Sequence, residues 1–398
     1  MADPAEGLKR DMAELQEMDT TATNKQQAEK FVWFLQAKGL SATTIRRHVY
    51  CLKKFLEVIG SGKNVSEASR EDLEKAMAEI RSMSLKPETK RKIIITVKLF
   101  YKHALGEGMY YPKQVGWIKA PRSTGKKVIP EDLLTESEVL RMLKASKNVR
   151  DKAIIALLYD AGIRVGELLS MRLKDVDLEG EPKHIVVNGK TGMRKIPILS
   201  SVPYLVQYMT TVQDLEPNDQ LWISIGTWVN KRQPIDSAGI RRMLQLTGKA
   251  AGMKKRIYPH LFRHSRASYY ANRMTEQQLK AFFGWTADSG MASTYVHLSG
   301  RDIDNAVLMA NGRQAREVLP ESKLKAVACP RCREENTVES SFCRRCGSPM
   351  DIGTALAMEN RMEDAKEMVE KGAVEPSLVS DAISNAGTKI RRKKKENK

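Results

Sequence analysis

Residues 258–264 carry a histidine and an arginine three positions apart, His260 and Arg263. In a helix this spacing places both side chains on one face. An arginine can bind a phosphate through two parallel hydrogen bonds, and a histidine beside it can share a proton. An H-x-x-R pair is common on protein surfaces, so it indicates a phosphate site only together with other residues of suitable chemistry.

Such residues occur on both sides of this segment. Upstream, Arg164 follows a turn at Gly162, and Glu167 lies one helical turn further on. Downstream, Trp285 precedes Tyr295 by ten residues. Cleavage of a phosphodiester without a metal needs a nucleophile, positive charge on the non-bridging oxygens and an acid for the leaving oxygen. A tyrosine and two arginines can supply the first two of these.

Taken in order, the residues resemble the tyrosine recombinase, or phage integrase, family, whose pattern is Arg, Lys, His-x-x-Arg, His or Trp, and Tyr. The matching residues are Arg164, Lys190, His260, Arg263, Trp285 and Tyr295. The resemblance covers residues 135–300 by motif and 24–315 in general character. It implies a site-specific DNA recombinase of integrase type, an enzyme that integrates or excises a mobile element.

The resemblance also implies how the site works. Tyr295 would attack the scissile phosphate, form a 3′-phosphotyrosyl intermediate and free a 5′-hydroxyl. Arg164 and Arg263 would hold the phosphate. Lys190 would protonate the leaving oxygen, and His260 would assist proton transfer around the tyrosine.

Three further residues complete the implied site. Trp285 would donate from its indole N–H, although packing is an alternative, and Glu167 and His264 occupy supporting positions.

Because a phosphotyrosine bond conserves the energy of the broken bond, catalysis would need neither a metal nor ATP. The sequence Gly-Lys-Thr at 189–191 is not a phosphate-binding P-loop, since the first glycine of that motif would fall at His184.

Two assignments have rivals within the chain. Arg194 and Lys195 lie in the same predicted hairpin as Lys190. The tyrosines at 269–270 are alternatives to Tyr295, but their position soon after Arg263 in the same helix is typical of packing residues.

Two other functions remain open at this level. A type IB topoisomerase-like enzyme would use the same tyrosine chemistry to relax DNA alone. A catalytically silent DNA-binding regulator would keep the fold without the reaction, although the complete residue set argues against it.

Four of the five cysteines form two C-x-x-C pairs separated by ten residues, Cys329, Cys332, Cys343 and Cys346. Two such pairs can surround one structural Zn²⁺, and an intracellular chain disfavours disulfides. The sequence therefore predicts a zinc ribbon, which makes the chain similar to integrases of archaeal mobile elements. Its arginines predict an additional DNA contact, with docking of a protein partner as the alternative: Arg331, Arg333, Arg344 and Arg345.

Charge indicates the partner. The 398 residues contain 67 Lys and Arg against 48 Asp and Glu, a net charge of +19. An excess of this size is typical of proteins that bind a polyanion. Residues 21–125 hold 20 bases and nine acids, whereas residues 1–20 hold two bases and six acids. We therefore expect double-stranded DNA as the partner, held partly by residues 21–125.

The predicted fold is mainly α-helical, with a small antiparallel hairpin in an α+β catalytic domain. We expect a flexible N-terminus (1–23), a helical core-binding domain (24–115), a linker (116–130), the catalytic domain (131–315), the ribbon (325–351), and a helix with a basic tail (352–398). The amphipathic helix predicted at 354–371 would either pack within the chain or be donated to a neighbouring protomer.

Location and assembly follow from composition and resemblance. No apolar run reaches the 18–20 residues, roughly, that a membrane helix needs, and the N-terminus lacks the basic and apolar regions of a signal peptide. We expect a cytoplasmic, nucleoid-associated protein that acts as a homo-oligomer on DNA, in a tetrameric synapse.

Overall fold

The structure, a computed structural model, describes residues 4–106, 110–121, 132–189, 191–225, 233–271, 273–298, 307, 310–312 and 322–371. The chain divides into two compact units, Met1–Lys127 and Val128–Lys398. Both are mainly helical, which confirms the predicted fold class. None of the helices in the described residues is long and apolar enough to cross a membrane.

The first unit is a helical bundle. Its described helices are α1 (Pro4–Glu17), α2 (Ala22–Ala37), α3 (Ala42–Ile59), α4 (Arg70–Ser82), α5 (Pro87–Leu105) and α6 (Lys113–Gly116), with a 3-10 turn at Val65–Glu67. The predicted apolar stripe of α3 is buried, and Ile45, Val49 and Leu52 are each 2% exposed or less. α3 packs against α1, α2, α4 and α5, so it is the centre of this unit.

The predicted flexible N-terminus, residues 1–23, was wrong, because α1 occupies most of it. Leu8 and Leu15 lie on one face of α1 and enter the core against α3. Asp11 of α1 forms an ion pair of 2.6 Å with Arg46, and Glu14 forms one of 2.6 Å with Lys53. The acidic N-terminus is therefore held by the bases of α3.

The helical unit also extends past the predicted boundary at residue 115. Val115 and Ile118 are buried in the same core, at 0% and 1% exposure. The predicted linker, 116–130, therefore begins later than its sequence suggests. Residues 122–131 lie outside the described part of the chain.

The second unit contains the hairpin and most of the remaining helices. Its helices include α7 (Glu136–Ala145), α8 (Val149–Ala161), α9 (Val165–Ser170), α10 (Val202–Met209), α11 (Ser237–Ala250), α12 (Pro259–Ala271), α13 (Glu276–Phe283) and α14 (Met291–Leu298). α8 is buried almost all round and packs against α7, α10 and α12, so it forms the centre of the core.

A three-stranded antiparallel sheet lies beside this helical core. Its strands are β1 (Val176–Asp177), β2 (Lys183–Gly189) and β3 (Gly192–Ile198), in the order β1-β2-β3. The β2–β3 register pairs Gly189 with Gly192 at the turn and Ile185 with Ile196 near the base. The predicted hairpin is therefore confirmed, with β2 ending at Gly189 and β3 beginning at Gly192.

The cysteine segment folds around a short hairpin of β4 (Val327–Ala328) and β5 (Glu335–Asn336). It belongs to the second unit and contacts α8 and α10 through one carboxylate. Glu339 accepts a hydrogen bond from Tyr204 of α10 and forms an ion pair of 3.0 Å with Lys152 of α8. The ribbon is therefore fastened to the helical core of its unit.

The predicted C-terminal helix is present as α15 (Ile352–Glu370). Met358 and Met362, expected on its packing stripe, are 46% and 49% exposed. These two side chains are therefore not packed into a core of this chain. Donation of the helix to a neighbouring protomer stays a prediction.

Candidate active site

The turn between α8 and α9 places Arg164. α8 ends at Gly162, which has a φ of 57°, and a Cβ at this position would lie 2.6 Å from the ring of Phe283. Only glycine meets both requirements without strain. Arg164 follows as the N-cap residue of α9, and its Nη2 donates to the backbone oxygen of Gly284 at 3.1 Å.

Glu167 connects two arginines at the centre of the site. Its Oε1 accepts from Arg164 Nη1 at 2.6 Å and from Arg194 Nη1 at 3.0 Å, and its Oε2 accepts from Arg194 Nη2 at 2.8 Å. Burial alone would raise the pKa of Glu167, but the hydrogen bonds from Arg194 and then Arg164 outweigh it and hold the pKa at about 2. Glu167 is therefore a carboxylate at neutral pH.

Arg263 is 4% exposed and is held by backbone oxygens. Its Nη1 donates to Gly162 at 2.9 Å, and its Nη2 donates to Phe283. Burial, and then the positive charge of Arg164, lowers the pKa of Arg263 to about 9. Within the described residues, no carboxylate forms an ion pair with Arg263. The site therefore has positive charge available for an anion.

Tyr295 of α14 lies next to these arginines. It is 3% exposed, and its ring stacks on Trp285 with centroids 5.5 Å apart and planes 2° from parallel. Its hydroxyl is hydrogen-bonded to Nδ1 of His264. Burial raises the pKa of Tyr295 to about 12, although the charge of Arg263 opposes this shift. The phenol is therefore neutral at pH 7 and must lose its proton before it can attack.

The two histidines lie one turn apart on α12. The ring of His264 is 5.9 Å from the ring of Tyr295 and 6.1 Å from that of His260. Desolvation, then the neighbouring His260 and Arg263, lowers the pKa of His264 to about 4, so its ring is neutral at pH 7. Desolvation and then the charge of Arg263 also lower the pKa of His260. The sequence interpretation gave His260 the part nearest Tyr295, whereas the structure places His264 in contact with its hydroxyl.

Lys190 lies outside the described residues, but both of its neighbours belong to the site. A Cβ on Gly189 would lie 2.5 Å from Oε1 of Glu167, so a glycine is needed for this approach. The hydroxyl of Thr191 donates to the backbone oxygen of Gly284 at 3.2 Å. Gly189 thus lies against Glu167 and Thr191 is bonded to Gly284, and these are the two groups that hold Arg164.

The structure brings the described candidates together: Arg164, Glu167, His260, Arg263, His264, Trp285 and Tyr295. The sequence interpretation considered Arg194 only as a rival for Lys190. A signal was available, because residues 194, 196 and 198 alternate along β3 and the last two are buried isoleucines. This alternation places Arg194 on the inward face of the strand.

The four cysteine sulfurs form a second, separate cluster within 4.8 Å of one another. The Sγ atoms of Cys329 and Cys346 are 3.7 Å apart, and those of Cys332 and Cys343 are 3.6 Å apart. Sulfurs bound to one tetrahedral Zn²⁺ at about 2.3 Å lie roughly 3.8 Å apart. The donor set and its spacing therefore fit zinc, and all four cysteines are free thiols.

Comparison with known proteins places both units in one family. Residues 132–301 match the phage integrase family, and residues 28–108 match its N-terminal SAM-like domain. Tyrosine recombinase XerA of Pyrococcus horikoshii is 30% identical over 250 residues, which cover 62% of this chain and 79% of that protein. A tyrosine recombinase of Thermosipho africanus is 27% identical over 277 residues, 67% of this chain and 93% of the relative.

Solved structures share the fold. The XerH site-specific recombinase bound to a palindromic difH substrate has a TM-score of 0.55 and 19% identity, covering 72% of this chain and 84% of that one. A lambda integrase dimer bound to a COC′ core site has a TM-score of 0.56 and 19% identity, covering 71% and 80%. From the matched domains and the curated relatives, the chain belongs to the tyrosine recombinases of the phage integrase family.

Proposed function

We propose that this chain is a site-specific DNA recombinase that cleaves and rejoins strands through Tyr295. The observation that carries the proposal is the position of the Tyr295 hydroxyl. It is hydrogen-bonded to the neutral His264 and lies near the buried Arg263, which has no carboxylate partner among the described residues. A phenol with a proton acceptor and a phosphate-binding charge beside it is suited to nucleophilic attack on phosphorus.

The proposed reaction uses only groups of the protein and the DNA. The Tyr295 oxygen forms a bond to phosphorus as its proton passes to His264, and the bond from phosphorus to the 5′-oxygen breaks. Arg164 and Arg263 stabilise the charge on the non-bridging oxygens. Lys190 protonates the departing 5′-oxygen. Rejoining is the reverse, with a 5′-hydroxyl attacking the phosphotyrosine.

Access to DNA requires a change at α14, because Tyr295 is 3% exposed. A phosphate within a duplex cannot reach a phenol enclosed by Trp285 and His264. We therefore expect DNA binding to move α14 or its neighbours so that the phenol is exposed. The same event would bring Arg164, which is more exposed, against the phosphate.

The assembly that we propose is based on solved structures of relatives. Structures of lambda integrase include a dimer on a core site and a tetramer on a Holliday junction. The proposal is that this chain also forms a tetramer on paired DNA sites, and that it works with DNA in the cytoplasm. Met358 and Met362 of α15, each about half exposed, are then available for contact with a neighbouring protomer.

The ribbon has a structural part in this proposal. Cys329, Cys332, Cys343 and Cys346 would hold Zn²⁺, which would supply a fixed crosslink between the two C-x-x-C turns. Of the four ribbon arginines, Arg344 and Arg345 are ion-paired with Glu334. Arg331 and Arg333 are exposed and form no ion pair among the described residues, so they are the candidates for phosphate contact.

Covalent trapping tests the function. The chain is incubated with nicked fragments of the genome that encodes it, denatured, and the protein-bound DNA is sequenced. The expected product is DNA joined through its 3′-phosphate to Tyr295, with a free 5′-hydroxyl on the other side. Tyr295→Phe should give none, whereas Tyr269→Phe, which removes a rival tyrosine, should react normally.

Two results would contradict the proposal. An adduct formed by Tyr295→Phe would overturn the nucleophile, and the absence of any adduct with the unaltered chain would favour a silent regulator. Strand exchange between two copies of the recovered site is expected. Relaxation of supercoiled DNA without exchange would instead indicate topoisomerase activity.

A further inference from the structure

Arg194 makes three hydrogen bonds with described residues of the site, and all three acceptors are protein oxygens. Two go to the two oxygens of Glu167 at 3.0 and 2.8 Å, and the third runs from Nε to the backbone oxygen of Phe282 at 3.1 Å. The side chain is 11% exposed. A guanidinium enclosed in this way is committed to its protein partners and does not itself contact DNA.

Its first effect concerns charge. The carboxylate of Glu167 is 2% exposed and touches both Arg164 and Arg194. If Arg164 were its only partner, the attraction of the buried carboxylate would compete with a phosphate for that guanidinium. With Arg194 on the same carboxylate, the three groups together keep a net charge of +1. Arg164, the more exposed of the two arginines, can then bind an anion.

Its second effect concerns position. Arg194 lies on β3, opposite Val187 of β2, and its Nε reaches the end of α13. Gly284, directly after α13, leaves room for the guanidinium, since a Cβ there would lie 2.7 Å from Nη1. Arg194 thereby fastens the hairpin to the end of α13, and Thr191 of the same hairpin donates to the Gly284 oxygen that also accepts from Arg164.

We propose that Arg194 is a positioning residue of the recombinase, which offsets the charge of Glu167 and thereby leaves Arg164 free to bind the scissile phosphate. The inference rests on the proposed function. It assigns Arg194 no contact with DNA. Its effect passes through Glu167 and Arg164, and through the attachment of the hairpin to α13.

The test uses the full chain and the DNA recovered by covalent trapping. The rate constant of adduct formation at saturating DNA and the DNA concentration at half-saturation are measured separately. Arg194→Met should lower the rate constant about 100-fold, the scale of a misplaced catalytic group, with little change in half-saturation. Lys195→Met is the matched control, because Lys195 is the next residue on β3, is 54% exposed and pairs with Asp177.

A double variant separates charge from structure. In Glu167→Gln/Arg194→Met the competing carboxylate is gone, so the rate constant should recover at least about tenfold over Arg194→Met, a coupling typical of groups that act together. A purely structural role would lower the fraction of chains that react and leave the rate constant of those chains unchanged. If Arg194→Met does not fold, Arg194→Gln, which removes the charge but keeps a hydrogen-bonding side chain, replaces it on both arms.

The outcomes distinguish this inference from the proposed function. If the unaltered chain forms no adduct, the proposed function fails. If it forms the adduct and Arg194→Met matches Lys195→Met, or the double variant shows no recovery, the inference about Arg194 is overturned while the function stands.

Discussion

Positively charged side chains outnumber negatively charged ones among the described residues at the centre of the candidate site. Arg164 and Arg194 both bind the carboxylate of Glu167, and a third guanidinium, that of Arg263, is held by backbone oxygens in the same site. Positive charge fixed in place before the reaction stabilises an anionic transition state without reorganisation during the reaction. The backbone oxygens that hold Arg263 keep it in position without neutralising it.

The low pKa of Glu167 makes a prediction about stability. Its folded value, about 2, lies below the ordinary 4.5. A depressed pKa means that the charged form stabilises the fold, so this contribution is complete above pH 4.5 and is lost as the pH falls towards 2. At about 1.4 kcal/mol per pH unit it amounts to an upper value on the order of 3 kcal/mol. Glu167→Gln should therefore destabilise the second unit at pH 7 and converge with the unaltered chain in acid.

Urea unfolding between pH 7 and pH 3 measures this difference, with the second unit followed through hydrogen exchange of α8. Glu71→Gln is the control, because Glu71 forms an exposed pair with Lys75 in the first unit. A gap between the Glu167→Gln and unaltered chains that stays constant over this range would contradict the prediction.

The sequence could predict those residues whose identity is dictated by chemistry. Arg164, His260, Arg263 and Tyr295 are recognisable because the reaction requires these types of side chain and because their order along the chain resembles the tyrosine recombinase pattern. Arg194 acts through another side chain, and its neighbour Lys195 carries the same charge. Only the alternation of β3 and the tertiary position of Glu167 distinguish the two.

At the scale of elements, the ends of helices determine how closely groups approach. Gly284 ends α13 with a φ of 58°, and the Arg194 guanidinium occupies the space of its missing side chain. Gly252 follows α11 with a φ of 68° and has nothing within 4 Å of a Cβ. The two positions share the left-handed backbone but differ in what they contact.

This difference predicts two outcomes for one kind of substitution. Gly284→Ala and Gly252→Ala should each cost about 1–2 kcal/mol of stability from the left-handed backbone. Only Gly284→Ala should also displace Arg194, and it should lower the rate constant of adduct formation by about tenfold or more. Thermal unfolding and the trapping assay measure the two effects. Equal rate constants in the two variants would show that contact with Arg194 at Gly284 does not matter.

Two elements show where sequence patterns are insufficient. α1 has few apolar residues, Leu8, Met12 and Leu15, among many charged ones, and its stability comes from packing on α3. α15 has a clear apolar pattern, yet Met358 and Met362 are about half exposed. Tertiary contacts decide both cases, and a short stripe does not reveal whether a partner surface exists.

At the scale of the whole chain, the count of 67 Lys and Arg overstates how many bases are available to DNA. Arg46 and Lys53 of the first unit are paired with acids of α1, and two ribbon arginines are paired with Glu334. Exposed arginines such as Arg331 are more available for phosphates. The sequence count identified the partner class but could not tell which bases are already neutralised.

The ribbon, with its candidate zinc site, contacts the helical core of the second unit through one carboxylate. Glu339 is 9% exposed on its side chain and holds both Lys152 of α8 and Tyr204 of α10. Burial, and then the charge of Glu339, raises the pKa of Tyr204, so this phenol remains a hydrogen-bond donor at all working pH values. If the four cysteines hold zinc as proposed, its loss would unfold the ribbon and remove this contact, because small zinc ribbons depend on their metal for folding.

Removal of zinc should therefore loosen α10, and hydrogen exchange measures this directly. In a reduced chain treated with a chelator, α10 amides should exchange about tenfold faster, equivalent to about 1.4 kcal/mol, while α3 in the first unit stays unchanged. Glu339→Ala should speed exchange in α10 even with zinc bound, so that chelation adds less to it. Protection of α10 that survives chelation would mean that the ribbon is attached to the catalytic unit but does not support it.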